Sequence, residues 1–167
     1  LLARIEVASA RLPEAGMLTL AREELERTRT LEAPGLPHGI IHGDLFPDNL
    51  FFDADGKVCG VIDFYFACHA PLLYDLAIAI NAWCCDAEGR PNPQACEALL
   101  AGYEATRPLK PPEREAMPAM LRAAALRFLL SRLHDWLYCP KDALVTPHDP
   151  GHYQRILEHH RRHAALA

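Results

Sequence analysis

A chain of 167 residues, half of them apolar and 23% charged, has the length of one ordinary domain and material for a packed core, which excludes a disordered tail or a fibre. A net charge of −5 argues against a nucleic-acid partner, which would need a basic face, and no apolar run approaches the ~18–20 residues of a membrane span. No basic-then-apolar leader opens the chain, so a cytoplasmic protein is expected, its six cysteines reduced and mostly buried rather than bridged.

Residues 18–32, rich in Glu, Arg and Leu, predict a helix that Pro34-Gly35-Leu36-Pro37 breaks. The short apolar run in His38–His42 predicts a buried strand, Leu50-Phe51-Phe52 a second and Val58–Ile62 a third. Asp53-Ala54-Asp55-Gly56 is a turn sequence that joins the last two into a hairpin. The same Asp-x-Asp-Gly could open a calcium loop, but Phe64 stands where that loop needs its closing carboxylate, and the calcium reading fails. From residue 71 the period is helical. Leu72, Leu76, Ile80 and Cys84 recur every four residues, and Asn92-Pro93 starts a second helix with an N-cap and a proline at its first position. Met120, Leu121, Ala124, Ala125, Phe128 and Leu129 form a third stripe, which Pro118 starts or kinks. Asp149-Pro150 opens a last helix with Tyr153, Ile156, Leu157 and His160 on one face. His159 and His163 have the spacing of a metal pair, but no third ligand follows, so this end reads as a solvated helix.

Charge is concentrated. Between residues 38 and 89, eight acidic side chains stand against one cation, Lys57. Such a cluster is either solvated or holds a metal ion. The pattern around it points to the second. In His42-Gly43-Asp44-Leu45-Phe46-Pro47-Asp48-Asn49 a short strand delivers Asp44 at its end, and Asn49 opens the next strand. The hairpin then returns Asp63, in Val61-Ile62-Asp63-Phe64, to the side of Asn49. A carboxylate and an amide oxygen at one edge suit a hard cation, and a further carboxylate with no neighbouring cation suits a base acting on a hydroxyl.

Asn49 follows Asp44 by five positions and Asp63 follows Asn49 by fourteen, the order used in phosphoryl transfer on kinase-like folds. The loop resembles the His-Gly-Asp-x-x-x-x-Asn signature of the aminoglycoside-phosphotransferase-like kinases, a branch related to protein kinases. Gly43 stands where protein kinases carry Arg, and Asp63-Phe64-Tyr65 keeps part of the Asp-Phe-Gly motif. Ile62–Cys68, Leu73–Ala77, Asn81–Cys84, Leu126–Trp136 and Ala143–Pro147 look like the bacterial homoserine kinases of this fold, over about residues 37–162. A departure is His69, where that group often has Asn.

The resemblance implies an α+β, mainly α fold: the C-terminal lobe of a protein-kinase-like structure, with a small catalytic-loop β-hairpin, as one domain over residues 1–167. It implies an enzyme that uses ATP and Mg²⁺ to phosphorylate a small molecule, the side-chain hydroxyl of homoserine, on the route to threonine. Asp44 would be the base, and Asn49 and Asp63 the Mg²⁺ and nucleotide ligands. His42 and Asp75 would support the loop, and Asp48 and Asp135 are substrate candidates, Asp135 for an ammonium group. The chain starts without Met, has no Gly-x-Gly, and none of its lysines precedes Asp44, so an N-terminal nucleotide lobe is expected to be missing. A choline- or aminoglycoside-type kinase, or a non-catalytic binding lobe, are the alternatives. A metallophosphatase would need further histidines.

Overall fold

The computed structural model describes residues 2–8, 12, 16–29, 34–140, 144 and 146–163. Two helices lead in, α1 (Leu2–Val7) and α2 (Gly16–Arg29); four strands follow, β1 (His38–Ile41), β2 (Leu50–Phe52), β3 (Val58–Val61) and β4 (Cys68–Pro71). Four helices complete the chain: α3 (Leu72–Trp83), α4 (Pro93–Thr106), α5 (Pro111–Tyr138) and α6 (Pro150–Arg162). The architecture is mainly α.

α5 is the axis of the body. Met117, Leu121, Ala124, Phe128 and Leu129 recur at helical spacing and are buried, against α1, α2, α3 and α6. Leu73, Ile78 and Ile80 from α3, Ile156 and Leu157 from α6, and Ile5 and Met17 from the leading helices close the core at 0–1% exposure. Each such side chain contributes about 1.5–3 kcal/mol, so the helices hold most of the stability. Helix starts are chemically specified. The Asn92 side chain accepts from the backbone N–H groups of Gln94 and Ala95, and Asp149 from that of Gly151. The buried Glu113 carboxylate takes the Lys110 N–H at 3.1 Å and pairs with Arg107 at 2.8 Å.

Several expectations are corrected here. The helix expected over residues 18–32 is α2, which begins at Gly16 and is seen to Arg29, and residues 30–33 lie outside the described set. Pro118 neither starts nor ends α5, which begins at Pro111 and runs through it. β1 is not a buried strand beside the hairpin. It pairs antiparallel with β4, Ile41 opposite Cys68, while β2 and β3 form their own ribbon with Leu50 opposite Val61. α3 packs on one side of β1, where Ile41 is buried, while Ile40 on the alternate side is 76% exposed, and Phe51, Phe52 and Val58 of the other ribbon are exposed too. The six cysteines are free, but only Cys84 and Cys96 are buried; Cys59 and Cys68 are exposed. Of the Ala143–Pro147 stretch, Ala143 and Val145 lie outside the described residues. Among the described residues no helix is long and apolar enough to cross a membrane.

His160 is not solvated. Its Nε2 donates to Asn81 Oδ1 at 2.8 Å, and Asn81 Nδ2 donates to the Leu121 carbonyl at 2.9 Å, which ties α6 to α3 and α5 inside the core. Burial, and then the charges of His159, Arg122 and His163, push the His160 imidazole down to about 4. The unfolded chain therefore takes up this proton near pH 6.5 while the folded chain refuses it until about pH 4. Stability from His160 is complete above pH 6.5 and is lost as pH falls towards 4. Denaturant titrations at pH 7 and pH 4.5 should show wild type losing about 2 kcal/mol more than His160→Gln. The same loss in both proteins would contradict the assignment.

Candidate active site

The centre of the site is a turn held from below. β1 ends at the buried Ile41, and the next two backbone N–H groups point into α3. Asp75, in the first turn of that helix, takes both: Oδ2 accepts from His42 N at 3.0 Å and Oδ1 from Gly43 N at 2.9 Å. His42 is itself buried. Its Nε2 donates to the Ile62 carbonyl at 2.8 Å and its Nδ1 accepts from Asp44 N at 3.2 Å, so the ring braces the loop from β3 to Asp44. Gly43 has φ +77°, and a Cβ there would sit 2.7 Å from the Phe66 carbonyl oxygen, so this position tolerates only glycine.

Asp44 follows, half-buried. Asn49 closes a 3₁₀ turn over Pro47–Asn49, and its Nδ2 donates to the Asp44 carbonyl at 2.8 Å and reaches Asp44 Oδ2 at 3.5 Å. The Ile62 N–H donates to the Asn49 carbonyl at 3.0 Å, one step beyond the β2–β3 ladder, so Asp63 is brought beside Asn49. Asp63 is the one non-glycine with positive φ among the described residues, at 64°. A left-handed aspartate is strained, and such strain persists where surrounding structure imposes it. The Asp63 carboxylate has no hydrogen bond or ion pair among the described residues, while it raises the Asp44 pKa through space. Burial is the larger cause, and Arg127, His42 and Asn49 oppose it; the net effect holds Asp44 above the usual carboxylate range.

Two residues of this site escaped the sequence reading. Arg127 of α5 donates through Nη1 to the Gly43 carbonyl, and its guanidinium lies 4.7 Å from the Phe66 ring centroid and 4.4 Å from that of Phe128. Trp83 Nε1, at the end of α3, donates to the Leu45 carbonyl at 2.8 Å. Phe46 packs edge-on against Phe128 at 4.8 Å. Only long-range partners identify these side chains, and no local spacing announces them.

The structure thus gathers Asp44, Asn49, Asp63, His42 and Asp75. It does not gather the two substrate candidates with them. Asp48 is exposed on the 3₁₀ turn. Asp135 lies eight residues past Arg127, about 12 Å of helix rise, in a separate cavity of about 320 Å³ with His134, Tyr138 and His148. His69 is exposed on β4, stacked on His38 at 5.7 Å. The oxygen donors fit a magnesium ion, which takes one or two carboxylates and keeps positions for water and phosphate; among the described residues neither the Asp63 carboxylate nor the Asn49 Oδ1 has a competing protein partner. Around the donors runs an apolar rim, with Tyr65 at 94% exposure and Phe64, Phe66, Ile62 and Phe51 exposed beside it.

Residues 2–109 match the phosphotransferase enzyme family. The chain is similar to a homoserine kinase of Caulobacter sp. strain K31, 53% identical over 132 residues that make up 79% of this chain and 41% of that protein. It is similar to a homoserine kinase of Phenylobacterium zucineum, 56% identical over 127 residues, or 76% of this chain and 39% of that one. The homoserine kinase of Azorhizobium caulinodans is 51% identical over 146 residues, 87% and 45%. The chain therefore spans less than half the length of these relatives. Among solved structures, an ethanolamine kinase of Plasmodium vivax superposes with a TM-score of 0.66 at 16% identity, over 96% of this chain and 46% of that one, and shares the fold: α+β, mainly α, and protein-kinase-like.

Replacing the Asp75 carboxylate removes an acceptor that no other group supplies. Asp75→Asn offers one oxygen and one NH₂ to two N–H donors, so one bond becomes a donor–donor clash. We expect a stability loss of about 1–3 kcal/mol and faster amide exchange at His42 and Gly43. Unchanged exchange at both amides would contradict the hub role of Asp75.

Proposed function

This chain belongs to the phosphotransferase enzyme family, and from that premise we propose that it is the C-terminal catalytic lobe, a single domain, of a cytoplasmic kinase that transfers the γ-phosphate of ATP to the side-chain hydroxyl of L-homoserine. The observation that carries the reading is the convergence of Asp44, Asn49 and Asp63 on a turn whose backbone is tied down by Asp75 and His42. The homoserine assignment is supported by three relatives of that name at 51–56% identity. A second lobe is supported by the exposed apolar rim around the carboxylates, a surface of the kind that partners cover, and by the greater length of the relatives.

In this reading Asp44 is the base. Its carboxylate accepts the proton of the acceptor hydroxyl and aims that oxygen, while Asn49 fixes its rotamer from one side. Asp63 and Asn49 hold Mg²⁺, which when bound neutralises charge on the phosphates. His42 ties the Ile62 carbonyl, one residue before the left-handed Asp63, to the Asp44 N–H.

Two outcomes check this. In the complete protein, L-homoserine should give the highest kcat/KM in an ATP-consumption assay that also offers choline and kanamycin; a preference for either of these would overturn the substrate. Asp44→Asn should lower kcat by ~10²–10⁴-fold with nucleotide affinity kept, whereas Asp63→Asn should also weaken nucleotide binding and recover partly at high Mg²⁺. Equal recovery of both variants would show the roles to be misassigned.

A further inference from the structure

Arginines drawn out of water in this fold meet carboxylates. Arg107 pairs with Glu113, Arg122 with Glu24 and Arg161 with Glu23, each at 2.8 Å. Two arginines of α5 lie on aromatic rings instead: Arg132 over Tyr153, reaching the Asp149 carbonyl, and Arg127. Arg127 is half-buried, packed between two aromatic rings, and no carboxylate among the described residues forms an ion pair with it. Nη1 is used on the Gly43 carbonyl, while Nε and Nη2 have no acceptor among the described residues. The Asp44 carboxylate feels the Arg127 charge through space but does not occupy its free N–H groups, and a fork of two parallel N–H groups matches a carboxylate or a phosphate bidentately.

The surroundings fit a small organic anion. Arg127 faces a cavity of about 460 Å³ between α2, α3 and α5, lined mostly by apolar side chains such as Leu25, Met120, Leu126 and Leu130, with Tyr74 beside it. Gly43, which Arg127 grips, directly precedes Asp44, and adjacent Cα atoms are ~3.8 Å apart. In a γ-hydroxy-α-amino acid the hydroxyl oxygen and the carboxylate carbon are separated by about 5 Å, a span that suits two groups close enough to interact through space, as Asp44 and Arg127 do.

This step rests on the reading of the site as a hydroxy-amino-acid kinase. We propose that Arg127 binds the α-carboxylate of the acceptor through Nε–H and Nη2–H, while Nη1 keeps the Gly43 carbonyl, and with it Asp44, in register with the acceptor hydroxyl. Arg127 is then the residue that separates amino acids from amino alcohols.

The test compares L-homoserine with 3-amino-1-propanol, which has the same hydroxyl and ammonium and no carboxylate. The complete wild-type protein should favour homoserine strongly in kcat/KM. Arg127→Met should lower kcat/KM for homoserine by ~10²–10³-fold more than for 3-amino-1-propanol, whose own smaller loss reports the shared Gly43 contact, and leave KM for ATP unchanged. Arg127→Lys, which keeps a cation but no fork, should fall between. If either variant keeps the wild-type preference, through full activity or through an equal loss on both acceptors, the proposal is overturned; so too if KM for ATP rises while the preference stays. A binding arm decides the case without turnover. L-2-aminobutyrate, which lacks the hydroxyl, should bind wild type at least about tenfold more tightly than Arg127→Lys, and propylamine should not discriminate. Equal binding of L-2-aminobutyrate by the two proteins overturns the proposal. A wild type that phosphorylates neither acceptor refutes the homoserine assignment itself and leaves the titration to decide Arg127.

Discussion

One carboxylate organises this molecule. Asp75 leaves the first turn of α3 and accepts both N–H groups of the turn that follows β1. Those groups would otherwise be buried without partners, at a cost of about 1–3 kcal/mol each. Because Asp75 belongs to a helix whose other face is the core, the turn inherits the rigidity of that core. Every other restraint on the loop adds to this one: His42 from β3, Trp83 from the far end of α3, Arg127 and Phe128 from α5. Asp44 and Asn49 lie on a loop in sequence and on a scaffold in space.

The helices and the ribbons divide the work. The helical body buries its apolar side chains almost completely and either pairs the charges it draws in, as with Glu24 and Arg122, or lays them on aromatic rings, as with Arg127 and Arg132. The ribbons do the opposite. They leave apolar side chains exposed around Asp44, Asn49 and Asp63, and they hold Asp63 in a left-handed conformation. Strain, raised carboxylate pKa and open apolar surface in one place are what a site needs that must grip a charged ligand and exclude water from it.

Much of this was legible in the chain because the signals are local. The spacing of Asp44, Asn49 and Asp63, the Asp53–Gly56 turn, and the caps Asn92-Pro93 and Asp149-Pro150 each act within a few residues of where they stand. What was not legible depends on distance. β4 ends in proline, shows no alternation and pairs with a strand 30 residues earlier. Arg127 reaches a carbonyl 84 positions away and Trp83 one 38 away. Short apolar runs are ordinarily buried, which is why β1 was expected inside; a two-stranded ribbon packed on α3 by one side only buries Ile41 and leaves Ile40 out. His160 stood in the sequence on one face with Tyr153, Ile156 and Leu157, but its partner, a buried Asn81 on another helix, cannot be foreseen from its neighbours. Asp135 shares a helix with Arg127, but sequence does not say which turn of that helix faces the loop.

The central claim is that this loop places a base, a metal site and an acceptor around one transferring phosphate. A crystal structure of the complete protein with Mg²⁺, a non-hydrolysable ATP analogue and L-homoserine tests it most directly. The account predicts oxygen atoms of Asp63 and Asn49 on the metal at about 2.0–2.1 Å, and an Asp44 carboxylate oxygen within hydrogen-bond reach of the homoserine hydroxyl. Mg²⁺ held elsewhere, or Asp44 turned away from the hydroxyl, would contradict it.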